Sequence, residues 1–348
     1  MDKIRASNIE LLRIFAIFII IVHHFCVHGI FDYQHLSFNK IYFINNLISV
    51  IFAFGGKIGA SIFVLISGYY LIDLKFKLSH FLNIFLKTFI YSFLIYFIFS
   101  YFNIFTIPNY LKIENFLPLD FGYWFIGTYL VLYLLFPCIN SFINAISENS
   151  LKYFLFILLI LWYVFEFFGF KCSFSNLGCF IYLYIIGACI KKQKINILNN
   201  LKYLLIISIV SLIFIVFFCT AMLGRQDIVN LWSFSFLFDL NSIFVLVFSL
   251  TIFNIFLKLK FKQNKILNYI SSSVLGIYLI HDNCIVRKFL WKDILNVADC
   301  IKSEYYIFYV LVISFCVFLI CFLLDSIFSY FYGKIFLNMF NKTDKINM

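Results

Sequence analysis

The chain is a succession of nearly uninterrupted apolar runs, each about 20 residues long and separated by short polar or basic turns. A helix rises 1.5 Å per residue, so about 20 apolar residues cross the ~30 Å hydrocarbon core of a bilayer. Inside lipid every backbone N–H and C=O must find a partner within the protein, which leaves helices and closed barrels. Barrel strands alternate apolar and polar residues over about ten positions, and these runs do not. Composition agrees, since 64% of the 348 residues are hydrophobic and 12% charged, where soluble domains carry roughly a quarter charged. A soluble enzyme and a disordered chain are both excluded. The expected fold is all-α: a polytopic membrane protein with about ten transmembrane helices, near 9–30, 55–73, 81–102, 121–142, 151–169, 174–190, 201–221, 231–256, 268–286 and 305–331. The stretch 41–54 holds Asn45 and Asn46 and is followed by Gly55-Gly56, so it reads as an interfacial or re-entrant lead-in to the second helix. His23, His24 and His28 stand where a signal-cleavage site would follow the run Ile14 to Val22, which makes that run a retained helix.

The net charge of +11 is scattered between apolar runs, and topology accounts for it better than nucleic acid does. Lys75 and Lys77 follow the second helix, Lys191, Lys192 and Lys194 the sixth, and Lys258, Lys260, Lys262 and Lys265 the eighth. With Lys3, Arg5, Lys334, Lys342 and Lys345 they mark a cytoplasmic face, and an even number of spans puts both termini there. The loop with Arg287, Lys288, Lys292 and Lys302 departs from that pattern. Residues 1–348 read as one membrane-embedded domain, with no linker and no internal repeat. The ten cysteines form no CxxC pair and no cluster with metal-ligand spacing, so no metal or prosthetic group is expected. The cysteines read as apolar fillers; Cys172 and Cys179, in the short polar stretch near Gly178, are the one pair where a disulfide is an alternative to free thiols, and free thiols are the favoured reading.

Ionisable residues within spans are costly and therefore candidates for function. The first helix gathers Glu10, Arg13, His23, His24 and His28. Arg13 and His24 are 11 residues apart, three helical turns plus roughly 20°, so they share a face about 16 Å apart along the axis. Glu10 lies one turn before Arg13 and His28 one turn beyond His24, while His23 is turned away by about 100°. The stripe reads as an ion pair at the inner boundary leading to a deeper imidazole. For a lone histidine, local hydrogen bonding between helices is the simpler reading; the aligned pair tips the balance toward function. His281 and Asp282 form a second ionisable pair, expected at mid-span, and Asp239, Asp325, Glu166 and Lys87 are further charges without evident partners.

Four segments resemble the integral-membrane acyltransferase-3 family in its form as a standalone membrane domain. Glu10 through Arg13 to His24, an arginine followed after ten residues by a histidine, is similar to its first-helix signature, with glutamate where aspartate is usual. ASIFVLISGYYLI, 60–72, resembles the second helix closing on Ser67, Gly68 and Tyr69. YWFIGTYLVLYLLFP, 123–137, resembles a helix led by Trp124 and ended by Pro137, and SSSVLGIYLIH, 271–281, one ending in Tyr278 and His281.

The resemblance implies transfer of an acyl group, usually acetyl, from cytoplasmic acyl-CoA as co-substrate to a hydroxyl of a carbohydrate or lipid-linked glycan acceptor, within the lipid bilayer. His24 is the candidate base or acyl carrier, with Arg13 and Glu10 as its catalytic companions. Ser67, Gly68, Tyr69, Lys75 and Lys77 are the candidate donor-binding residues. Against this, the two lysines also serve plain topology and the small residues also serve close helix packing. Trp124, Tyr278 and His281 are the candidate acceptor-binding residues, although Trp124 alone would more often be an interface anchor. The alternative is a transporter or flippase of polysaccharide or lipid-linked glycan, whose buried charges would line a permeation path. Its usual two similar halves are not found. A third reading is a subunit of a polysaccharide synthase without chemistry of its own.

Overall fold

A computed structural model describes residues 6–31, 40–104, 122–168, 176–195, 200–223 and 235–346. Among them every regular element is helical. We number the principal helices α1 Ser7–Cys26, α2 Lys40–Leu71, α3 Leu78–Tyr101, α4 Trp124–Ala145, α5 Glu148–Leu159, α6 Asn176–Lys191, α7 Leu201–Leu223, α8 Ile243–Lys258, α9 Lys265–Ser272, α10 Val274–His281 and α11 Tyr306–Ile346. Seven described segments are long and apolar enough to cross a membrane: Ser7–Ile30, Phe43–Leu71, Leu78–Tyr101, Trp124–Ala145, Leu201–Ala221, Phe236–Lys258 and Tyr306–Lys334. The protein is thus a multi-pass membrane protein. The other expected spans are helical but interrupted or shorter. The fifth passes from α5 into a π-turn at Ile160–Val164, α6 is 16 residues long, and the ninth is divided into α9 and α10 at Ser273.

Burial sorts the helices into a centre and a lipid-facing shell. In α1 and α2, 61% of the spanning window is buried, against 22% in the still more apolar α7. The centre is α2, which packs on α1, α6 and α8. Its contact with α6 is made at backbone distance: a Cβ on Gly68 would strike the Tyr184 carbonyl, and one on Gly187 would strike that of Leu65. Small residues that let backbones meet are the usual adhesive between helices in lipid, where burial of apolar area contributes little.

Three expectations are corrected here. The stretch 41–54 is the first half of α2, continuous with the rest, and no re-entrant loop forms. Asn45, part of the expected lead-in, donates to the carbonyls of Ile301 and Ser303 at 2.8 and 2.9 Å, and Gly55 packs against the Ile19 carbonyl of α1. The helix expected over 231–256 is broken around Asp239, and Ser242 caps the start of α8. The helix expected over 268–286 stops at His281, because Asp282 ends α10 and the Asn283 side chain caps the next short helix, Cys284–Lys288. His281 is therefore a helix-end residue rather than a mid-span one. Cys172 lies outside the described residues, as does the side chain of Glu166; Cys179 is buried with its Sγ 3.4 Å from the Tyr163 hydroxyl.

The basic turns lie together at one end of the bundle. Lys192 pairs with Asp73 at 2.8 Å across the turns that follow α6 and α2, and Lys194 donates to the carbonyl of Ile143 near the end of α4. In the exceptional basic loop, Arg287 is bound to Asp282 and Lys302 to Asp299, each at 2.9 Å.

Candidate functional site

The first-helix stripe forms as the spacing requires. Arg13 Nη1 lies 3.2 Å from Glu10 Oε1, and Glu10 also accepts a hydrogen bond from Ser271 of α9. Glu10 is buried while Arg13 stays partly exposed, so the pair ties α1 to α9 and leaves the guanidinium reachable.

Three turns further along α1, His24 meets the end of α10. His24 Nδ1 is 3.0 Å from His281 Nε2, and His281 Nδ1 is 2.6 Å from the Ile277 carbonyl. A carbonyl only accepts, so Nδ1 of a neutral His281 carries the proton and its Nε2 offers a lone pair. His24 must then donate through Nδ1–H, which leaves the lone pair of its own Nε2 free. That atom lies 3.4 Å from Asp282 Oδ1, where a carboxylate favours a proton arriving on the imidazole. Asp282 is itself held by Arg287, whose Nη2 lies 2.9 Å from Oδ1 and donates to the Asp282 carbonyl at 3.1 Å. The end of α10 is fixed from the other side by Tyr123, which donates to the Leu279 carbonyl at 2.6 Å and accepts from Asn283 at 2.9 Å.

A cavity of about 150 Å³ opens beside these groups. His23, His24, Lys57, Trp124, Tyr278 and Asp282 supply its polar lining, and apolar side chains such as Ile20, Phe63 and Phe125 supply the rest. Four of the sequence-predicted site residues thus converge: His24, Trp124 and Tyr278 line the cavity and His281 stands directly behind His24. His23, expected to face away, also reaches it while its Nδ1 bonds the Ala53 carbonyl at 2.5 Å.

The expected donor-binding residues do not line this cavity. Ser67 and Gly68 lie within unbroken α2, where Ser67 donates to the Phe63 carbonyl and to the Tyr129 hydroxyl and Gly68 packs against α6. Tyr69 receives Lys191 Nζ over its ring at 4.8 Å, and Lys75 and Lys77 are exposed in the turn after α2. Lys75 and Lys77 sit at the basic end of the bundle, whereas Ser67 lies one helical turn from the cavity-lining Phe63.

Lys57 is the residue that sequence reasoning missed, although the signal was present: a single cation in the middle of a long apolar run. Treating Gly55-Gly56 as the start of a helix hid the fact that Lys57 lies well inside one. The part of Arg287 in the site was likewise concealed by reading it as a topological exception. The fold also gathers His24, His28 and Asp282, whose donor atoms all lie within 4.8 Å of one another, a grouping that linear spacing did not reveal. Arg287 already occupies the carboxylate of that trio and opposes a divalent cation there.

Comparison with known families matches residues 7–339 to an acyltransferase domain. No curated protein and no solved structure matches the chain. The match covers nearly the whole sequence and takes in α1, the cavity and the end of α10. The chain therefore belongs to the acyltransferase-3 family of membrane acyltransferases.

Proposed function

We propose that the protein is an O-acyltransferase of the bacterial cytoplasmic membrane that moves acetyl from cytoplasmic acetyl-CoA to a hydroxyl of a surface polysaccharide or its lipid-linked precursor. The observation that carries this reading is the orientation of His24: the chain from the Ile277 carbonyl through His281 leaves its Nε2 lone pair beside the cavity and beside Asp282. An acceptor hydroxyl gives its proton to that nitrogen as its oxygen attacks the thioester carbonyl. The tetrahedral oxyanion then collapses, the C–S bond breaks, and the proton passes from His24 to the departing thiolate. Asp282 stabilises the imidazolium between the two proton transfers, and His281 holds the ring in its working tautomer. Arg13, Lys75 and Lys77 face the side on which the positive-inside rule puts acyl-CoA, and their charges suit its phosphates.

The test is mass spectrometry of surface glycan from cells carrying the wild type, His24→Ala at matched membrane level, or no protein. Acyl groups present with the wild type and missing from the other two support the reading. Unchanged acylation with less glycan at the surface overturns it in favour of transport.

A further inference from the structure

Lys57 rises from the middle of α2 into the cavity, with its Nζ 3.7 Å from the centre of the Trp124 ring. Among the described residues no carboxylate reaches it within salt-bridge distance. Asp239 and Asp282 act on it from farther off, and Asp282 is committed to Arg287. Counting formal charges, Lys57 and Arg287 are matched by Asp282 and by Asp239, whose carboxylate also acts on Lys57 from beyond contact distance, so the ammonium lacks a contact partner rather than a counter-charge. The Trp124 face offsets part of the cost of burying an ammonium. An ion pair would normally be required at such a position. Arg287 on the Asp282 carboxylate argues against a dication on His24, His28 and Asp282, and a cavity-lining ammonium without a contact ion pair favours an anionic ligand beside Lys57.

The donor's phosphates do not suit this place, because about 21 Å of helix separates Lys57 from Leu71 at the basic end. The acceptor does, since Trp124, already the candidate sugar platform, is the ring on which Lys57 rests. We infer that Lys57 is an anion-reading residue, which selects acceptors carrying a carboxylate or phosphate on or next to the sugar that is acylated. This rests on the acyltransferase reading above and narrows its substrate class to acidic glycans.

The test uses the full chain in lipid nanodiscs with acetyl-CoA and three matched probes: an alkyl glucoside, the corresponding alkyl glucuronide, and the corresponding alkyl glucose phosphate. Wild type, Lys57→Met and Lys57→Arg are compared. The expected result is that wild type prefers an anionic probe over the neutral one by at least tenfold in kcat/KM, that Lys57→Met abolishes this preference, and that Lys57→Arg retains most of it. Glucuronide against phosphate identifies which anion is read. Binding is followed separately by tryptophan fluorescence, with Trp124→Phe identifying the reporting ring. A charge-dependent, Lys57-dependent fluorescence change without turnover would sustain the inference and count against acyl transfer. Equal rates or binding on charged and neutral probes, or an equal loss on both in Lys57→Met, would overturn it and leave acyl transfer standing.

Discussion

Among the described residues, the buried charges around Asp325 and those around His24 are built on opposite plans. Around Asp325 of α11 everything is closed: Lys87 of α3 pairs with it at 2.8 Å, Tyr91 donates to it at 2.7 Å, Ser329 donates at 3.2 Å, and Lys87 also reaches the Ser329 hydroxyl. Around His24 the polar groups are ordered in a chain that ends at a cavity, with one nitrogen lone pair and one ammonium facing it. Both clusters sit in a medium where uncompensated charge is expensive. The first meets that expense with internal partners and so serves structure. The second leaves the Lys57 ammonium without a contact ion pair, which makes sense if a ligand supplies the missing partner.

The sharpest way to break the comparison is to unbalance the closed cluster. Asp325→Asn leaves Lys87 without its counter-ion, and removing one partner of a buried pair costs about 3–5 kcal/mol. The expected outcome is a large loss of folded protein by detergent-extraction melting, with the activity per folded molecule retained. A normal melting temperature with lost activity would instead move Asp325 into the chemistry.

In the open cluster, His281→Leu removes the acceptor that orients His24, and acyl transfer should fall about 10–100-fold, the usual scale for an orienting partner. His281→Gln supplies a carbonyl oxygen in its place and should recover part of the loss. Equal activity of the two variants would mean that His281 only fills space. Gly68→Val tests the frame that holds both clusters, since the new side chain must push the Tyr184 backbone away. Destabilisation of about 1–3 kcal/mol is expected, read as a lower melting temperature.

The smallest effect concerns the exposed Asp299, which Lys302 beside it holds below the ordinary carboxylate range. A depressed pKa contributes stability above the unfolded value that is lost as pH falls through the folded one. At a fully exposed pair this is screened. Asp299→Asn should therefore leave the melting temperature unchanged between pH 7 and 5, and a measurable drop would show that this loop carries structural weight.

Legibility in the sequence followed the range of the interactions. The Glu10–Arg13 pair and the shared face of Arg13 and His24 were readable because a helix repeats within a few residues, and membrane crossing was readable because it depends on length and polarity alone. The meeting of His24 with His281 was not, since 257 positions separate them and nothing local announces it. The same holds for Asn45, whose partners lie more than 250 residues away. Taken locally it belongs to an interfacial lead-in, and in the fold it bridges the start of α2 to the segment before α11. The error at α2 carried over to Lys57, whose meaning depends on being inside a helix rather than at its entrance.

The most direct measurement is acyl transfer in inverted membrane vesicles, which carry their own acceptor and expose the cytoplasmic face to labelled acetyl-CoA. Wild type is compared with His24→Gln at equal amounts of folded protein. Loss of the base should lower the rate of label entering glycan by at least about 100-fold with an unchanged melting temperature. Incorporation within threefold of wild type would contradict the assignment of His24 as the group that moves the proton.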